Sequence, residues 1–270
     1  VSAFVLPGPA LLFCPADRPE RYVKALERAD AVIIDLEDAV APADKPGARS
    51  ALIDADLPPE RVVVRINALD TRDAAADLAT VAETPYRTIM VAKAEDPARI
   101  DALDGHLRVL ALCETARGVV EAERLAALPG VVGLMWGAED LVASLGGTSS
   151  RRRSGRYRDI ARHARSRVLL AAGAYGKVAI DAVHLDIADL AGLRREARDA
   201  VASGFTATAC IHPGQVPVIR DAYRPDADTI AWARRVLDAA AGERGVFQFE
   251  GRMVDEPVLR HARSVLHRAG

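Results

Sequence analysis

Short runs of Val, Ile and Leu recur along this chain, and each gives way to a longer stretch whose apolar residues return at helical spacing among Ala, Arg and Glu. Strands are predicted over 11–14, 31–36, 61–66, 88–93, 108–113, 131–136, 179–184 and 206–211. Helices are predicted between them, over 19–29, 44–54, 71–83, 115–128 and 157–175. Thr71, ahead of Arg72-Asp73, and Asp96, ahead of Pro97, are expected to start helices. Strands that are apolar on both faces and alternate with helices imply a parallel sheet covered by helices. Eight such repeats favour a closed (β/α)8 barrel over an open doubly wound sheet, and no Gly-x-Gly-x-x-Gly follows the first strand. Two more helical segments are predicted over 228–241 and 256–268, with 242–251 between them as a loop. The expected organisation is a barrel over 1–222 and a C-terminal helical extension or lid over 223–270, both parts of one domain.

In a barrel, chemistry gathers at the carboxyl ends of the strands, so the polar residues there carry the information. The stretch from Val131 to Asp140 runs from a buried strand into Glu139 and Asp140, and the strand before it ends at Glu114. Two hard oxygen donors delivered by neighbouring strands suit a divalent cation such as Mg2+; the alternative is that each acid caps the following helix. Glu139 points differently from Asp140 and ranks below it as a ligand. Arg65 follows Val62-Val63-Val64 and is expected either to form a structural ion pair with nearby acids or to meet an anionic ligand. Lys93 faces the same choice, and a Schiff-base role would need a depressed pKa.

Other residues have a structural reading beside the functional one. Arg18 and Lys24 flank a helix start opened by Pro19, where phosphates or plain solvent are the two prospects. The run Arg151 to Arg153 reads as a solvated loop, His212 as a structural residue at a strand end, and Asp255 as the cap of the last helix.

Composition narrows the classes. The chain has 270 residues, half of them apolar, and a formal net charge of −2, which argues against nucleic-acid binding as its main task. Cys14, Cys113 and Cys210 lie in separate apolar runs and read as reduced core thiols. No apolar run approaches a membrane span and no signal-peptide pattern opens the chain, so a soluble cytoplasmic protein is expected.

Several stretches, in order along the chain, resemble the citrate lyase beta-subunit-like proteins of the HpcH/HpaI aldolase and acyl-CoA lyase superfamily. They are Phe13-Cys14-Pro15-Ala16-Asp17-Arg18-Pro19-Glu20-Arg21, Ile34-Asp35-Leu36-Glu37-Asp38, Val64-Arg65-Ile66-Asn67, Leu112-Cys113-Glu114-Thr115-Ala116, Gly137-Ala138-Glu139-Asp140-Leu141, Ala179-Ile180-Asp181, Cys210-Ile211-His212-Pro213 and Met253-Val254-Asp255. The resemblance implies a TIM barrel with Mg2+ on Glu114 and Asp140, and Arg65 on the substrate's carboxylate or oxo group. It implies coenzyme A thioester binding, with Arg18 and Lys24 near the CoA phosphates. It also implies a homo-oligomer, with a trimer favoured, in which Asp255 enters from the adjacent subunit and handles the proton at the acyl α-carbon. Glu37 is assigned to orienting a metal-bound water or a ligand hydroxyl. Ala182 and His184 depart from the family pattern, which leaves substrate preference open.

The expected activity is Mg2+-dependent cleavage of a 3-hydroxyacyl-CoA of the citryl, malyl or citramalyl kind into an acyl-CoA and a 2-oxo acid or other carbonyl product. The alternatives are a thioesterase or malate-synthase-like reaction on the same site, a CoA-independent aldolase, and a citrate lyase subunit that needs its partners.

Overall fold

The structure is a computed structural model that describes residues 4–243 and 245–269. Its elements run β1 (Ala10–Pro15), α1 (Tyr22–Arg28), β2 (Ala31–Asp35), α2 (Lys45–Ile53), β3 (Val62–Ile66), α3 (Arg72–Ala82), β4 (Thr88–Val91) and α4 (Pro97–Asp101). They continue with β5 (Arg108–Cys113), α5 (Ala116–Ala126), β6 (Val131–Trp136), α6 (Ala138–Ser144), α7 (Asp159–Ala174), β7 (Val178–Asp181), α8 (Leu190–Ser203), β8 (Ala207–Cys210) and α9 (Val216–Tyr223). The last elements are α10 (Ala227–Ala240), β9 (Phe247–Phe249), β10 (Arg252–Val254) and α11 (Glu256–Ala269). Strands β1 to β8 pair in sequence order, all parallel, and β8 returns to β1 to close the barrel. All eight expected strands are present. Among the described residues no helix is long and apolar enough to cross a membrane.

The local signals work as chemistry predicts. Thr71 Oγ1 accepts from the Ala74 amide, and Asp96 accepts from the amides of Ala98 and Arg99 ahead of α4. Cys14, Cys113 and Cys210 are buried and form no disulfide, and burial pushes the first two up to about 11 and about 12, away from the thiolate a nucleophile needs.

Side chains that alternate along the strands fill the barrel interior: Leu11 on β1, Ala31 and Ile33 on β2, Val63 on β3, Leu110 and Leu112 on β5, Met135 on β6. Continuing each alternation one step carries the same inward face to Phe13, Asp35, Arg65, Glu114 and Gly137. The mouth is therefore the last layer of the core pattern, where apolar residues give way to charge.

Three sequence expectations need correction. The fourth strand stops at Val91, and Lys93 lies beyond it with φ +49°, in the left-handed region that a non-glycine residue rarely adopts. The seventh strand stops at Asp181, leaving Ala182, Val183 and His184 in the loop. The stretch 242–251 holds strand structure, because β9 and β10 form an antiparallel hairpin around Glu250 and Gly251. Both turn residues have positive φ (+49° and +76°), which matches the two-residue turn whose twist suits a hairpin. Arg244 of that stretch lies outside the described residues.

The chain separates into two compact units, Val1–Ile219 and Arg220–Gly270. In the second, α10 and α11 bury Ala233, Val236, Ala262 and Val265 with Val254 of the hairpin, and Trp232 lies against the His261 ring at 5.8 Å.

Candidate active site

Strand register creates the site. Asp35 and Arg65 are direct neighbours across β2 and β3, so an inward carboxylate and an inward guanidinium meet at the same height. Arg65 Nε and Nη2 each donate to one Asp35 oxygen at 2.6 Å, a two-pronged charge-assisted pair. Arg65 Nη1 lies 3.3 Å from Glu37 Oε2, and the guanidinium sits 4.9 Å from the centre of the Phe13 ring. Burial opposes the Arg65 charge, yet the bonds to Asp35 hold its pKa above the ordinary arginine value.

Glu37 is buried, and both its oxygens are engaged. Oε1 accepts from the Lys93 ammonium, while Oε2 accepts from the Asp38 amide at 3.0 Å and faces Arg65. Burial pushes its carboxyl up; Arg65 and Lys93 pull it down. Lys93 also reaches Asp38 Oδ2 at 3.2 Å, and despite partial burial these carboxylates raise its pKa. A raised pKa is the opposite of what an amine nucleophile needs.

Across the mouth, Cys113 on β5 is level with Trp136 on β6, which sets Glu114 beside Gly137. Glu114 is 3% exposed, and its Oε1 accepts the Lys93 backbone amide at 3.0 Å. A Cβ at position 137 would lie 2.7 Å from Glu114 Cβ and 2.9 Å from Oε2, so glycine is what allows the carboxylate its place. Asp140 sits in the first turn of α6, and among the described residues no hydrogen bond or ion pair takes up its carboxylate. Burial and the Asp140 charge together push Glu114 up to about 8. Thr115 caps α5 and Gly137 stands at the cap position of α6, so neither acid serves as a helix cap.

Phe13, Leu112, Met135, Val183, Leu185 and Ile211 complete an open cleft of about 220 Å3 that contains Asp35, Arg65, Glu114 and Asp140. The two mouth cations already have anionic partners in Asp35 and Glu37. Glu114 and Asp140 have no cationic partner within ion-pair distance among the described residues, and a bound cation would favour the ionised form of both. Among the described residues no group of three or more His, Cys, Asp or Glu side chains could hold a metal ion. Two carboxylates suit Mg2+, which keeps several waters and takes oxygens from its ligand, better than they suit a metal needing a full protein cage.

Arg18 and Lys24, in the same unit, do not line this cleft. Arg18 follows β1 with its side chain 55% exposed, 3.9 Å from Asp17. Lys24 is exposed on α1. Asp255 belongs to the second unit, where its Oδ1 accepts the Val258 amide at 3.3 Å at the start of α11. His212 is structural, accepting from the Gly214 amide in a reciprocal cap with Gln215.

On the outward face of the barrel wall, at the end of β7, Asp181 accepts the Trp136 indole N–H at 2.6 Å and is gripped by Arg165 of α7. Arg151 departs from the solvated-loop expectation: it packs 3.9 Å over the Tyr157 ring and pairs with Glu196, which also contacts His184. Glu139 accepts from buried Ser150 at 2.6 Å and so ties α6 to this loop.

Sequence reasoning undervalued Asp35, Gly137 and the Lys93 backbone. The inward alternation on β2 was a usable signal for Asp35. Nothing local marks the other two.

The sequence profile of the HpcH/HpaI aldolase/citrate lyase family matches residues 10–213. A citrate lyase subunit beta-like protein of Mycobacterium tuberculosis is 61% identical over 263 residues, covering 97% of this chain and 96% of that protein. The mitochondrial citramalyl-CoA lyase of Homo sapiens is 31% identical over 295 residues, covering 97% of this chain and 85% of the human protein. The crystal structure of Mycobacterium tuberculosis CitE in complex with magnesium, acetoacetate and coenzyme A superposes with a TM-score of 0.93 at 61% identity, covering 98% of each chain. With these likenesses running through the barrel and its acidic mouth, the chain belongs to the HpcH/HpaI aldolase/citrate lyase family.

Proposed function

We propose that this chain is a Mg2+-dependent carbon–carbon lyase that splits a 3-hydroxyacyl-CoA into an acyl-CoA and a 2-oxo acid or related carbonyl product. The observation that carries this reading is the uncompensated pair Glu114 and Asp140 facing a cleft that also holds Arg65. The M. tuberculosis structure with magnesium and coenzyme A and the human citramalyl-CoA lyase support it.

Glu114 and Asp140 would hold the ion, which supplies charge stabilisation for oxygen on the carbonyl fragment. Arg65, fixed by Asp35, presents its guanidinium to the carboxylate or oxo group of that fragment. The apolar wall of Phe13, Leu112 and Met135 lowers the local dielectric and strengthens these contacts. In cleavage the bond between the acyl α-carbon and C3 breaks, its electron pair stays with the α-carbon, and the C3 hydroxyl gives up its proton to solvent water as the carbonyl forms. Asp255 returns a proton to the α-carbon in cleavage and removes one in condensation. We assign Glu37 to bracing Arg65 and Lys93 instead of a water, because both its oxygens are already taken. Arg18 and Lys24 are assigned to the CoA phosphates. The second unit acts as a lid, Asp255 reaches a neighbour's mouth within a cytoplasmic homotrimer, and the whole forms one functional domain.

The direct test is turnover of citryl-, malyl-, citramalyl- and hydroxymethylglutaryl-CoA with Mg2+ or chelator, products followed by mass. At least one thioester is expected to yield acyl-CoA and carbonyl product, and Asp255→Asn to slow it about 10²-fold or more. No cleavage of any member, or only free CoA and intact acid, overturns the lyase reading. Gly137→Ala is expected to weaken Mg2+ binding about tenfold or more, because the added methyl displaces Glu114. Calorimetry showing wild-type Mg2+ affinity in that variant removes Glu114 from the metal assignment.

A further inference from the structure

We propose that Lys93 is a positioning residue whose left-handed backbone fixes one oxygen of Glu114 and leaves the other for the ion. This rests on reading Glu114 as a metal-holding carboxylate. In a parallel strand, alternate backbone amides serve alternate neighbours. The Ala92 amide donates to Ile66 on β3 at 3.2 Å, so a regular continuation would send the Ala94 amide to β3 as well. Instead the Ala94 amide donates to Leu112 on β5 at 3.0 Å. The chain has reversed its facing at Lys93, where φ is +49°. The reversal takes the Lys93 amide out of the ladder and gives it to Glu114 Oε1 at 3.0 Å. Among the described residues no hydrogen bond reaches Oε2, the oxygen that lies against the side of Gly137 where a Cβ would stand.

Glycine adopts this backbone most readily, yet lysine occupies it. The side chain explains the choice. The ammonium contacts Glu37 and lies 3.2 Å from Asp38, anchoring the turn to the loop after β2 and, through Glu37, to Arg65. One residue thus links the carboxylate that holds the ion to the guanidinium that holds the substrate's anionic end. Strained backbone survives where its surroundings over-determine it, and here both ends of Lys93 do so.

The test separates backbone from ammonium by comparing Lys93→Gly, Lys93→Ala and Lys93→Val in the full chain. All three keep the amide and lose the ammonium, but tolerance of positive φ falls from Gly to Ala to Val. Mn2+ affinity is read from the free-ion EPR signal, with thermal unfolding measured on the same samples and Glu114→Gln as reference. Lys93→Gly is expected within about threefold of wild type, Lys93→Val weaker by about tenfold or more, and Lys93→Ala between them. Should Lys93→Val fail to fold, the Gly-to-Ala difference still decides. Equal Mn2+ affinities in all three, with Glu114→Gln impaired, overturn the proposal and leave the metal site standing. Wild-type Mn2+ affinity in Glu114→Gln overturns the metal reading and this proposal with it.

Discussion

Glu114→Gln is expected to lower kcat/KM for Mg2+-dependent cleavage by about 10³-fold or more, equivalent to about 4 kcal/mol of transition-state stabilisation. The substitution keeps shape and removes one of the two charges that would hold the ion. The pH dependence makes the prediction sharper. Burial and Asp140 push the Glu114 carboxyl up to about 8, so below that pH the metal-free protein holds a proton that Mg2+ must displace. Mg2+ affinity should climb about tenfold per pH unit toward pH 8 and level off above it. The sign for stability follows from a folded pKa raised above the carboxylate's ordinary 4.5. The contribution is fully present below the ordinary value and is lost as pH rises through about 8. In chelator, wild-type Tm should therefore fall more steeply between about pH 5 and pH 8 than that of Glu114→Gln, with no further difference in slope above about pH 8. A flat Mg2+ affinity over that range, or a fully active variant, contradicts the assignment.

Arg65 should respond differently to its two replacements. Arg65→Ala strips the buried Asp35 and Glu37 of their shared partner, and leaving such charges uncompensated is expected to destabilise the protein by about 3–5 kcal/mol. Denaturant unfolding measures that loss. Arg65→Lys keeps a charge but cannot span both Asp35 oxygens while offering a donor to the ligand. It should stay folded and lose about 10²-fold in kcat/KM, equivalent to about 2.7 kcal/mol. Wild-type kcat and KM in Arg65→Lys would show that the guanidinium is structural alone.

Much of this site was readable because the strands carry a period of two. Ala31, Ile33 and Asp35 share one face of β2, as Leu110 and Leu112 share one face of β5 that Glu114, the next residue past the strand, continues. Once the barrel is accepted, that alternation says which acids turn inward. It does not say which partners they meet. Asp35 takes Arg65 because the two strands are level there, and the same apolar runs paired one residue out of step would separate them. The inward turn of Arg151 is illegible in the sequence for a related reason. Three consecutive arginines look solvated, and only the approach of Tyr157 and Glu196 draws the first of them inward. The hairpin of β9 and β10 escaped notice because each strand has three residues, too few for a pattern.

The sequence by itself determined the eight strands, most of the helices that cover them, the inward face of each strand, and the acids and cations that reach the mouth. These follow from local periodicity, capping chemistry and the aversion of apolar side chains to water. Tertiary structure alone decided the pairing of charges, the fit of Glu114 against Gly137, and the left-handed turn at Lys93. Those depend on distances between strands remote in sequence, because an ion pair or a missing Cβ has consequences only once register has put another atom beside it.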